Sequence, residues 1–319
     1  MLTRGAGVQV GVVDSGVSPR GGGLPGAVLA GRAIADGTHG DSDCLGRGTA
    51  LAALVAARPV SGSLFVGVAP ASVIYPVRIV DERGDTTPTA LAAGIQAAAR
   101  AGCKVILVAV GVPTPDPLVR AAVKYAVGHD AVVVAALAGK SAGDDSSQQA
   151  PSWYPASDPD VLAVGGVDQA GALVQPVSAR SGLDLLAPGD KAFSVGPSGT
   201  GNYVVGGAAV AAAYVAGAAA LVRAYHPSLD QAHVRQRLLN TADNANLDLY
   251  AAVSAPDMPD GDTVPPRPQS ALVMAHAAGV PRSESIASII ALAAALVVAV
   301  AWLGRRIVAE GRRRRWRRP

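Results

Sequence analysis

Gly206-Gly207-Ala208-Ala209-Val210-Ala211-Ala212-Ala213-Tyr214-Val215-Ala216-Gly217-Ala218-Ala219-Ala220-Leu221-Val222 is almost wholly small or apolar. Alanine is the best helix former, and a helix with no polar face has to be buried on every side. The two leading glycines permit a sharp entry into it. Such a helix needs a surrounding fold, and the flanking sequence supplies one. Short apolar runs at 8–13, 73–80, 105–110, 131–136, 161–168 and 184–189 read as strands. Helical stretches at 89–101 and 118–127 fall between them, and a closing amphipathic helix spans 229–241, with Ser228 as its expected cap. Strands that are apolar throughout and alternate with helices predict a parallel sheet covered on both faces, hence an α/β fold.

Outside this body the composition changes. Residues 286–303 carry no charge, and eight arginines follow: Arg305, Arg306, Arg312 to Arg315, Arg317 and Arg318. This pattern predicts a membrane-spanning helix at 285–304 with a basic tail at 305–319 on its cytoplasmic side, touching anionic lipid. The Pro- and Gly-rich stretch 255–284 reads as a linker, leaving 1–254 as the folded domain. The arginines and Glu310 sum to +7, so a formal net charge of +3 leaves −4 for the rest. A mildly acidic body gives no argument for nucleic-acid binding. Cys44 and Cys103 have no metal-binding spacing, so neither a metal nor a cofactor is expected. No export signal is legible after Met1. An extracytoplasmic body therefore requires a signal upstream, and a true start at Met1 would favour a cytoplasmic body.

Several motifs, in order, resemble those of one family. Asp14-Ser15-Gly16 follows the first strand, and Gly46-Arg47-Gly48-Thr49 resembles Gly-His-Gly-Thr. Gly67-Val68-Ala69-Pro70 and Ala138-Gly139-Lys140 stand where that family has Gly-Val-Ala-Pro and Ala-Gly-Asn. Tyr154-Pro155-Ala156, residues 161–167 and Ala187-Pro188-Gly189 resemble its later signatures, and the opening helix resembles its serine segment, Gly-Thr-Ser-x-Ala-Ala-Pro. Residues 8–245 thus resemble the subtilisin-like serine proteases. With a linker, one C-terminal span and a basic tail, the chain is most similar to the mycosins, membrane-anchored members of actinobacterial type VII secretion systems. The resemblance implies a subtilisin-like three-layer α/β fold.

It also implies a mechanism whose residues can be checked one by one. A serine attacks, a histidine takes its proton, an aspartate orients the histidine, and an asparagine amide stabilises the oxyanion. Asp14 matches the aspartate. Arg47 stands at the histidine position, Ala209 at the serine and Lys140 at the asparagine, while Ala213 replaces the proline of the serine segment. A guanidinium stays protonated and alanine has no nucleophile, so two of the three triad roles are unfilled. Arg47 is expected to reach Asp14 and form a charge-assisted pair. A rescue by His39 and Ser198 would need a shifted dyad on two loops, and His129, His226, His233 and His276 read as structural or surface residues. Cys44 and Cys103 should lie at opposite edges of the sheet, unbridged.

The reading is a membrane-anchored pseudoprotease that serves as a scaffold or binding component. Its expected partners are secretion-system membrane subunits. The alternatives are an active serine endopeptidase of the same family, and a module that holds extended polypeptides without cutting them.

Overall fold

The computed structural model describes residues 2–137, 153–175, 182–199, 202–256 and 302. The chain divides into two units, Met1–Val264 and Pro265–Pro319, and the account below concerns the first. Lys140 lies outside the described residues, as do His276, the span and arginine tail apart from Trp302, and the linker beyond Pro256.

Seven strands form one parallel sheet in the order β2-β3-β1-β4-β5-β6-β7. They are β1 (Gln9–Asp14), β2 (Arg32–Ala33), β3 (Val73–Arg78), β4 (Val105–Val108), β5 (Val132–Ala136), β6 (Leu162–Val167) and β7 (Leu185–Pro188). Successive residues feed opposite faces, as the two-residue repeat of a strand requires. Val105 and Leu107 join one core cluster with Val132, Val134 and Ala136, while Ile106, Val108, Val133 and Ala135 join the other. This is why the strands read as continuous apolar runs rather than alternating ones.

One face packs on α2 (Pro88–Arg100) and α3 (Pro117–Gly128). Both begin with a capping side chain followed by proline: Ala90 N donates to Thr87 Oγ1 at 3.1 Å, and Leu118 N to Asp116 Oδ1 at 2.7 Å. The other face packs on α1 (Arg47–Ala56) and α4 (Ala208–Tyr225). Among the described residues α4 is the helix long and apolar enough to cross a membrane, yet 78% of it is buried, so it is the core helix its sequence predicts. Its small residues allow close approach, and a β-carbon on Gly217 would stand 2.6 Å from Val68 Cβ.

Two expectations need correction. The closing helix α5 is Gln231–Thr241, and its cap is Asp230, whose Oδ1 accepts from His233 N at 2.9 Å, not Ser228. The segment between residue 189 and α4, where the sequence reading names no strand, holds an antiparallel hairpin, β8 (Ala192–Val195) and β9 (Asn202–Val205). It is pinned by buried Ser194, whose Oγ donates to Ala50 O at 2.6 Å. A short helix α6 (Leu249–Ser254) closes the unit.

Candidate functional site

The carboxyl edge of a parallel sheet is where ligands bind in open α/β folds. Asp14 ends β1 there with its side chain fully buried, and Arg47 opens α1 directly opposite. Arg47 Nε donates to Asp14 Oδ1 at 2.8 Å and to Oδ2 at 3.0 Å, and Nη2 lies 2.8 Å from Oδ1. The expected pair is therefore present, with the guanidinium edge-on to the carboxylate. Ser15 N adds a donation to Asp14 Oδ1 at 2.5 Å. Burial works against the charge on Arg47, but Asp14, through its charge and hydrogen bonds, and Asp43 outweigh it. The pKa of Arg47 is raised above its ordinary value. Arg47 is a permanent cation and cannot accept a proton from a nucleophile.

The start of α1 is held by residues that motif reading passed over. Gly46 adopts φ 77° and offers no cap, and buried Asp43 does that work. Its Oδ2 accepts from Thr49 N at 2.8 Å and Thr49 Oγ1 at 2.6 Å, while Oδ1 accepts from Gly46 N at 2.8 Å. Gly48 N donates to Ser15 Oγ at 2.9 Å. A β-carbon at Gly48 would lie 2.0 Å from Gly16 O, so the helix start is pressed onto the Asp14-Ser15-Gly16 turn.

Ala209 is the second residue of α4 and is half-buried. Gly207 brings the chain in at φ 104°, and Ala208 N donates to Gln175 Oε1 at 2.8 Å, so Gln175 caps this helix from outside. A cavity of about 380 Å³ lies between the first turns of α1 and α4 and the β8–β9 hairpin. Arg47, Gln175, Tyr203 and Ala209 line it with a mainly aliphatic remainder that includes Leu45 and Val210. Among the described residues that line it there is no serine, threonine, cysteine or histidine. The structure thus brings Arg47 and Ala209 to one cavity with Asp14 behind Arg47.

His39 and Ser198 are both exposed, and neither lines the cavity. The other described histidines make local contacts: His129 Nδ1 with Tyr125 O, His226 Nε2 with Val253 O, and His233 Nδ1 with Asp230 Oδ1. Both cysteines are free, Cys44 exposed and Cys103 buried. Burial pushes the Cys103 thiol up to about 12, although Gln9 Nε2 donates to its sulfur. Asp43 leaves a weak trace in sequence as a turn-favouring residue ahead of Gly46. Gln175 leaves none, because its role arises only when β6 and α4 come together.

Residues 5–261 match the subtilase family. The chain belongs to that family. Subtilisin DY of Bacillus licheniformis is 35% identical over 247 residues, covering 77% of this subtilase and 88% of the relative. A subtilisin of Bacillus pumilus is 36% identical over 242 residues, covering 75% and 84%. Among solved structures, MycP1 with its N-terminal propeptide removed superposes with a TM-score of 0.71 at 30% identity, covering 82% of this chain and 94% of that one. MycP3 protease from the type VII (ESX-3) secretion system gives 0.66 at 29% identity, covering 80% and 84%. The subtilase family stands on the family match and the curated relatives, and the likeness to mycosins on the solved structures. Arg47 and Ala209, which the motif resemblance sets against the histidine and serine of that family, both line the cavity.

Proposed function

We propose that this subtilase is a mycosin-like pseudoprotease, anchored by residues 285–304, with its body outside the membrane and its arginine tail in the cytoplasm. It acts as a scaffold or binding component of a type VII secretion system. The observation that carries the reading is the Asp14–Arg47 pair beside Ala209. The retained carboxylate is engaged by a cation that cannot serve as base, and the position facing it has no nucleophilic atom. In subtilisin, loss of either the serine or the histidine lowers turnover on the order of a million-fold.

The expected outcome is no labelling by a fluorophosphonate probe and no peptide cleavage above background. Because the triad acts as a unit, Ala209→Ser or Arg47→His alone should restore nothing. The double variant, and the double variant with Lys140→Asn, should label weakly if any do. Labelling of the unaltered protein at any serine would sink the reading and favour an active endopeptidase.

The surviving cavity favours a second reading, a module that holds extended polypeptides without cutting them. Cross-linking in cells separates the two. Membrane subunits of a secretion apparatus in the captured material support the scaffold, and short secreted polypeptides support the binder.

A further inference from the structure

The loop 57–67, between α1 and β3, takes no part in the cavity yet is apolar where it meets solvent. Leu64 is 104% exposed, Val60 and Val66 are also exposed, and half-buried Phe65 packs beneath them on the core. The loop is a built turn. Ser63 N donates to Val60 O at 3.0 Å, Gly67 N to Ala57 O at 2.9 Å, and Arg58 Nη2 fastens its base to Gly26 O at 2.6 Å. From 44 to 80 the sequence has no aspartate or glutamate.

Its place in the fold gives it meaning. α1 and α4 both start at the carboxyl edge of the sheet, beside the cavity, and run to the opposite edge. Loop 57–67 leaves the far end of α1 there. At the far end of α4, His226 Nε2 meets Val253 O at 3.0 Å, which places the end of α6 at the same edge. The described stretch ends there at Pro256, and the sequence continues through 257–284 to the apolar stretch 285–304. A random chain of about thirty residues has a root-mean-square span of about 30 Å. A body of this size has a radius of gyration of about 18 Å. On the anchoring reading, an anchor at 285–304 would tether the body by this edge.

We infer that loop 57–67 docks onto the lipid surface, with Val60, Leu64 and Val66 entering the headgroup region and no nearby carboxylate in the segment to oppose anionic lipid. The cavity then faces away from the membrane. The inference rests on the anchoring reading above, and one experiment keeps the two apart.

Full-length protein carrying Cys44→Ser and Leu64→Cys is labelled with an environment-sensitive fluorophore and reconstituted in phosphatidylcholine–phosphatidylglycerol vesicles bearing nitroxide on the acyl chain. A second sample carries the label at Phe193→Cys, an exposed position on the β8–β9 hairpin, other residues of which border the cavity. Quenching should be several-fold stronger at 64 than at 193. With the label moved to Ser61→Cys, the charges of Leu64→Glu and Val66→Glu should remove most of the quenching without a change in melting temperature. Carbonate extraction of the same vesicles reports the anchor. Resistance to extraction with equal quenching at 64 and 193 overturns the docking inference and leaves the anchor standing. Extraction with strong quenching at 64 removes the anchor and leaves the lipid-binding loop. Shielding of position 64 from aqueous iodide without lipid quenching points to a second copy of the chain and overturns the inference.

Discussion

The two edges of the sheet each carry an aspartate held by arginine, and they differ in what would follow from taking the cation away. At the carboxyl edge Asp14 is fully buried, and Arg47 covers it with hydrogen bonds to both oxygens. At the amino edge Asp130 is 37% exposed in its side chain and serves three elements at once. Arg223 Nη2 of α4 lies 2.8 Å and Lys104 Nζ 2.9 Å from its Oδ2, and Gln231 N at the start of α5 donates to its Oδ1 at 2.7 Å. Arg223 also donates to Asp130 O and Leu229 O, tying the end of α4 to its surroundings. The first pair compensates a fully buried carboxylate; the second fastens helices together. One is a local match of charge and the other belongs to the framework.

The largest effect should come from Arg47→Met, which leaves Asp14 buried and uncompensated. We expect a loss of about 3 kcal/mol. For a domain of this size that lowers the melting temperature by roughly 6–12 °C. Adding Asp14→Asn should recover part of the loss, because the uncompensated charge is then gone. Arg223→Met should cost less, about 2 kcal/mol. Asp130 can rehydrate and keeps Lys104, so the loss is mainly of bonds to backbone carbonyls. If Arg223→Met proves the more damaging in thermal denaturation, burial of the carboxylate is not what separates the two edges.

The smallest effect is in pH dependence. Burial pushes Asp130 up, but the bonds from Lys104, Arg223 and Gln231 outweigh it, and its pKa lies below the ordinary carboxylate value. A lowered folded-state pKa gives stability that is present above the unfolded value, about 3.9, and is lost as pH falls through the folded one. The advantage of the unaltered protein over Asp130→Asn should therefore hold at pH 7 and fade below about pH 4. Asp184 runs the other way. Its burial raises the pKa despite the Ala163 amide and Arg235, so its contribution falls as pH rises through that value. The comparison should use the difference between variant and parent rather than either curve alone. A difference that stays constant down to acid pH would show that the Asp130 network contributes through hydrogen-bond geometry rather than charge.

Much of this was legible in the sequence, for identifiable reasons. α4 announced itself because seventeen successive small or apolar residues admit few placements, and the parallel sheet because its strands lack a polar face. Arg47 and Ala209 drew notice in the sequence because short motifs fix position without help from tertiary structure, and the structure brings both to one cavity. The β8–β9 hairpin was not legible. Its strands are four residues each, and Phe193, Tyr203 and Val204 are exposed, so no alternation of buried and polar residues marks them. The cap of α5 was misplaced because Ser228 and Asp230 are both good caps, and only the fold decides which one meets the free amides. Gln175 and Asp43 were missed because each works by filling hydrogen-bond vacancies on a helix whose approach is set elsewhere.

The contact between Gly48 and Gly16 has a consequence for how such a protein changes over time. Any side chain at Gly48 would force the first turn of α1 away from the loop after β1, since even a methyl carbon would stand 2.0 Å from Gly16 O. That constraint is steric and does not depend on whether a reaction takes place. Side chains at this edge, positions 47 and 209 included, can therefore be exchanged while Gly16 and Gly48 hold the backbone on which they sit. The mould is set by the glycines and is indifferent to what is cast in it.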